Sequence, residues 1–167
     1  MAVGILVAPL FEESELIYPY YRLQEAGYQV LTIGPEAREY RGKHGHPFSA
    51  ETRAADVDPG GLQGLVVPGG YSPDHMRRDP ACIDLVRKVF DAGKPVAAIC
   101  HAGWMLASAG VLEGRRATSF FSIRDDMVNA GAKWTDEPVV VDGNLITSRR
   151  PSDLPRFTAA LLNALAG

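Results

Sequence analysis

One segment restricts the fold of this chain more than any other: Pro95-Val96-Ala97-Ala98-Ile99-Cys100-His101-Ala102-Gly103. An apolar run stops at a cysteine and a histidine, small residues follow, and Trp104 to Ala109 then favour helix. This order predicts a buried strand, a sharp elbow and a helix, with a thiol at the elbow. A side chain so placed stands clear of the sheet, beside the free N–H groups that open the next helix. Those donors and the helix dipole favour thiolate over thiol, and thiolate is the form that attacks. A buried cysteine at a strand end is the ordinary reading of such a residue. The adjacent His101 and the small residues that let a substrate approach favour a nucleophile at Cys100 instead.

The rest of the chain alternates strand and helix patterns. Strands are expected over 3–8, 29–33, 65–67, 96–99 and 117–120, and a hairpin over 139–147 turns on Asp142-Gly143. Helices are expected over 13–26, 80–92, 123–130 and from about Asp153 to Leu165, with Pro155 tolerated in the first turn. A second hairpin is expected around Lys43-His44-Gly45. The alternation predicts a single α/β domain over 1–167, a mainly parallel sheet covered by helices on both faces. Chemistry in such folds lies at the carboxyl ends of strands. Three turns fall there, at Pro9 to Glu15, Pro68 to Ser72 and Cys100-His101, and they should converge.

Each of these turns offers chemical groups. Glu12 and Glu15 are three apart at a helix start and share a face; by themselves they read as solvated acids favoured by the dipole. Gly69-Gly70 follows a buried strand and leaves backbone N–H groups uncovered. With the His101 N–H these are candidates for an oxyanion hole, or for a tight turn that needs positive φ. Cys82 falls on a helix and is expected in the core. The four His and two Cys show no zinc-type spacing, so no metal and no other cofactor is expected.

Composition limits the partners. A net charge of −3 argues against nucleic acid as the main partner. No apolar stretch approaches the roughly 20 residues that span a bilayer, and the N-terminus lacks the basic region of a signal peptide. Two cysteines make no disulfide framework, which points to a reduced, cytoplasmic setting.

The chain resembles the PfpI-type intracellular cysteine proteases, within the glutamine-amidotransferase-like superfamily that also holds the protein deglycases. Phe11 to Pro19, Gly42-Lys43-His44-Gly45, Val67-Pro68-Gly69-Gly70, Ala98-Ile99-Cys100-His101, Ser108 to Leu112, Ile123 to Met127 and Val141 to Asn144 carry the likeness, in order and over the whole length. The resemblance implies a flavodoxin-like three-layer sandwich that assembles into dimers or hexamers, with the site near subunit interfaces. It assigns His101 as general base, oriented by an acid from a neighbouring subunit. The matching residue is Asp74, one methylene shorter than the glutamate the family prefers. It also places a carboxylate from the Glu12–Glu15 segment against the thiol, and Lys43 in the pocket. Phe120 departs from the family's His or Tyr and can only pack.

Three functions follow as expectations: a stress-response cysteine peptidase, a deglycase or glyoxalase acting on methylglyoxal or its adducts, and a redox sensor or chaperone with oxidisable Cys100. The substrate is accordingly a peptide or a small carbonyl compound. Glutamine amidotransfer is set aside, because it needs a His well downstream of the Cys and none follows His101.

Overall fold

The computed structural model describes residues 1–167. A parallel sheet is built from β1 (Ala2–Leu6), β2 (Val30–Gly34), β5 (Thr52–Arg53), β6 (Leu62–Val67) and β7 (Val96–Ile99), and is extended by the hairpin of β10 (Val139–Asp142) and β11 (Leu145–Ser148). The strand order is β10-β11-β7-β6-β1-β2-β5, and only β10 runs antiparallel to its neighbour. A separate hairpin, β3 (Glu39–Arg41) with β4 (Pro47–Ser49), stands off the sheet with Lys43 in its loop.

Helices cover both faces. On one lie α1 (Glu13–Glu25) and α6 (Leu154–Ala166); on the other lie α3 (Pro80–Asp91) and α4 (Gly103–Ala109). Alternation along β1 and the loop after it divides the core: Val3, Ile5 and Val7 join Leu16, Phe157 and Leu161, while Leu6 and Ala8 join Val86, Met105 and Leu106. All of these are essentially excluded from solvent. The flavodoxin-like arrangement expected from the sequence is the one observed. No helix is long and apolar enough to cross a membrane.

The differences are local. The strand expected over 117–120 is only β8 (Arg116–Ala117), paired with β9 (Lys133–Trp134). Beyond it the Thr118 N–H goes to Thr147 Oγ1 and the Phe120 N–H to the Cys100 carbonyl, so the segment folds onto the elbow instead of extending a ladder. The helix expected over 123–130 opens with a 3₁₀ turn at Phe121–Ile123 and continues as α5 (Arg124–Asn129). A short helix, α2 (Ser72–Met76), follows the glycine turn, in a segment for which no element was expected.

Candidate active site

Three strands end at one place. After β7 the backbone turns at Cys100 with φ +64°, a left-handed conformation uncommon for a side-chain-bearing residue. That turn is the elbow foreseen in the sequence, and it leads through a 3₁₀ turn at Cys100–Ala102 into α4. After β6, Gly70 takes φ +73° and forms a bridge with Phe11 from the loop after β1. A Cβ at Gly70 would stand 2.5 Å from the Glu12 nitrogen, so this approach of two backbones requires glycine.

The result is a cavity of about 320 Å³ lined in part by Cys100, His101 and Gly70. Glu12, Glu15, Lys43, Tyr71, Phe120, Arg150 and Pro151 complete its lining.

Glu15 and Glu12, equivalent in the sequence, are unlike in the structure. Glu15 is fully buried in the first turn of α1, and its Oε1 accepts the Gly69 N–H at 2.9 Å. Its Oε2 is buried with no hydrogen-bond partner, and the Glu15 carboxyl shares the cavity with the Cys100 thiol closely enough for the two groups to influence each other's protonation. Burial pushes the Glu15 carboxyl up to about 8, against the pull of the Gly69 N–H. Glu15 therefore carries a proton at neutral pH. Glu12 caps the same helix by accepting the Ser14 N–H, and its Oε1 lies 2.9 Å from Lys43 Nζ. Burial acts upward on Glu12, but the bond and charge of Lys43 together with the Ser14 hydrogen bonds outweigh it and keep this carboxylate ionised.

Burial and the facing Glu15 carboxylate push the Cys100 thiol up to about 12. The N–H groups of His101 and Gly70, with the Lys43 charge, act in the opposite direction. Sulfur and carboxylate cannot both be charged at this distance from water, so a proton on Glu15 is what makes the thiolate accessible.

His101 does touch its neighbour: Nδ1 lies 3.3 Å from the Cys100 sulfur. Its Nε2 faces the Ser122 hydroxyl at 3.2 Å, and Phe120 and Trp104 pack edge-on against the ring. Burial and the Lys43 charge hold the imidazole below its ordinary pKa, hence neutral. Ser122 was not foreseen; a lone serine after Phe120-Phe121 carries no sequence signal.

The other expected residues fall as follows. Asp74 on α2 is half exposed, forms an ion pair with Arg78 at 2.7 Å and lies outside the cavity of its own chain. The Gly69 N–H is not a free donor, because Glu15 occupies it; the donors left facing the sulfur are those of Gly70 and His101. Cys82 is buried in α3 as expected, and burial pushes its thiol up. Glu12, Glu13 and His44 offer ligand atoms within 4.8 Å of one another. Glu12 is already paired with Lys43, and Glu13 accepts the backbone N–H groups of His44 and His46.

The sequence model of the DJ-1/PfpI family matches residues 1–164. The chain belongs to this family. Among its relatives, the "Deglycase PfpI" of Pyrococcus furiosus is 47% identical over 154 residues, covering 92% of this chain and 93% of that protein. The "Protein/nucleic acid deglycase 2" of Escherichia coli is 39% identical over 166 residues, 98% of this chain and 96% of that one. Among solved structures, Drosophila melanogaster DJ-1beta superposes with a TM-score of 0.92 at 32% identity, covering 100% of this chain and 92% of that chain.

Proposed function

We propose that this DJ-1/PfpI member is a cofactor-independent enzyme that adds the Cys100 thiolate to reactive 2-oxoaldehydes such as methylglyoxal, free or in early adducts on proteins. The observation that carries the reading is the Glu15–Cys100 pair, a buried protonated acid beside a thiol with both members in one chain. The Cys100 proton passes to the neutral His101, whose Nδ1 is 3.3 Å away. The sulfur forms a bond to the aldehyde carbon, and the carbonyl electron pair moves to oxygen, which takes the Glu15 proton. The Glu15 carboxylate then takes the proton of that carbon while the adjacent ketone oxygen is protonated, giving an enediol. Return of the proton to the adjacent carbon, with loss of the hydroxyl proton on the first, gives a hydroxy-thioester. Water cleaves the thioester, releasing a hydroxy acid and the thiol. One carbon is oxidised and its neighbour reduced, so the sum is 2-oxoaldehyde plus water. The deglycase names of the relatives are consistent with this chemistry.

The test is lactate formation from methylglyoxal by the purified chain and by Cys100→Ser. Lactate from the first and none from the second supports the reading; no lactate from either, or equal rates, overturns it.

A cysteine peptidase is the second reading, favoured by the 3.3 Å contact of His101 Nδ1 with the sulfur. It needs an acid for His101. Within the chain Nε2 meets only Ser122, so Asp74 would have to come from a neighbouring copy.

A further inference from the structure

Arg149 and Arg150 are adjacent at the end of β11, yet the structure uses them in opposite ways. Arg149 is partly buried in an ion network, whereas Arg150 is exposed: the Arg149 Nε and Nη2 donate to Asp153, and its Nη1 to Asp136 at 2.9 Å. Arg150 has φ −164° and ψ 170°, nearly fully extended. In extended backbone successive side chains leave on opposite faces. Seating Arg149 on Asp153 therefore commits Arg150 to the other side, where it lines the Cys100 cavity.

The charges around that cavity do not cancel. Lys43 and Glu12 neutralise each other at 2.9 Å. Glu15 and His101 are uncharged at neutral pH. Arg150 has no carboxylate within 4.0 Å, unlike Lys43, the other cation on the cavity wall. An unpaired guanidinium lining the same pocket as a nucleophile is a two-pronged donor whose complement is a carboxylate.

We propose that Arg150 is a specificity-determining residue of this cavity, selecting aldehydes that carry a carboxylate next to the reactive carbon. The inference builds on the thiolate addition proposed above and extends its carbonyl class; glyoxylate, with no ketone beside its aldehyde carbon, stops at the adduct. Glyoxylate is the minimal probe: the sulfur bonds its aldehyde carbon, the carbonyl electron pair moves to oxygen, and that oxygen takes the proton. The carboxylate one bond away is left to the guanidinium. Glyoxal is its uncharged counterpart.

The experiment reads Cys100 directly, so it does not depend on turnover. The full chain is alkylated with iodoacetate or iodoacetamide, and modification of the Cys100 peptide is followed by mass spectrometry, apart from that of Cys82. In Arg150→Gln the iodoacetate-to-iodoacetamide rate ratio should fall about tenfold, and Arg150→Lys should restore part of it. Glyoxylate should protect Cys100 at lower concentration than glyoxal, an advantage that disappears in Arg150→Gln and shrinks with added salt. An unchanged rate ratio and unchanged protection in Arg150→Gln, with its melting curve intact, overturn the proposal. If methylglyoxal yields no lactate while both readouts move with Arg150, the catalytic reading fails and the assignment of Arg150 stands.

Discussion

Glu15 and Gly69 are 54 residues apart in sequence, and a buried hydrogen bond of 2.9 Å joins them. This bond connects the first turn of α1 to the turn after β6. It fixes one carboxyl oxygen on a backbone donor, so that only the other oxygen is left to exchange a proton.

Glu15→Gln keeps the shape and can still accept the Gly69 N–H, but it cannot pass a proton. Conversion of methylglyoxal should fall by ~10²- to 10⁴-fold, the usual contribution of a general acid–base. Stability should respond as well. The folded pKa is raised to about 8 from 4.5, so the folded state holds a proton that the unfolded state releases. The native chain therefore loses stability as pH rises from about 4.5 to 8. Melting temperatures of Glu15→Gln should lack that decline and exceed those of the native chain at pH 9.

The left-handed backbone at Cys100 costs roughly 1–2 kcal/mol for any residue with a Cβ. Cys100→Ala retains the cost and Cys100→Gly removes it. Both variants should be inactive. Calorimetry should place the glycine variant ~1 kcal/mol above the alanine variant once the greater freedom of unfolded glycine is offset.

Gly69→Ala would set its new Cβ 2.6 Å from Glu15 Oε1, 2.8 Å from the Cys100 Cβ and 2.9 Å from the Ile99 carbonyl. Two of these neighbours are rigid. Denaturant titration should show a loss of about 1–3 kcal/mol, and iodoacetamide should reveal altered Cys100 reactivity.

Asp74→Ala separates the two catalytic readings. The Arg78 pair it breaks is exposed on both sides and contributes ~1 kcal/mol or less. Under carbonyl chemistry, methylglyoxal conversion should stay within about twofold of native. Under a cross-subunit triad, cleavage of a quenched fluorogenic peptide should drop at least ~100-fold.

Phe120→His puts a proton carrier where a phenyl ring now packs 5.1 Å from the His101 ring. Steady-state kinetics should show kcat for methylglyoxal rising by about ten- to a hundredfold, toward the gain a placed acid–base supplies. A kcat no higher than native would mean that Glu15 and His101 already handle every proton.

Cys100 and His101 were legible because an apolar run ends on them, and strand ends are where parallel sheets expose side chains. Glu15 could not be told from Glu12 by sequence. Both open the same helix, and what separates them is which one reaches a backbone donor brought in by β6. The Gly69 N–H was expected to be free for the same reason, since its occupant lies in a distant segment. Arg150 was hidden in a basic dipeptide that reads as a solvated surface pair. Only the extended backbone after β11 sends its two members apart. Ser72-Pro73-Asp74 gave no helical periodicity, being a single turn, so α2 was invisible.

Lys43 reaches the site from a hairpin that belongs to no main-sheet ladder. That hairpin is held by bonds from Leu10 to Arg41 and from Lys43 to Phe11, and by Glu13 accepting the His44 and His46 N–H groups. Cys100, in contrast, follows a strand paired on both sides at the centre of the sheet. The two can open to solvent at different free energies. Amide exchange in residues 39–49 would then proceed while β7 stays closed, and each such opening would withdraw the cation from Glu12 without unfolding the elbow. The charge that acts on the thiol is thus mounted on a segment outside the sheet that carries the sulfur.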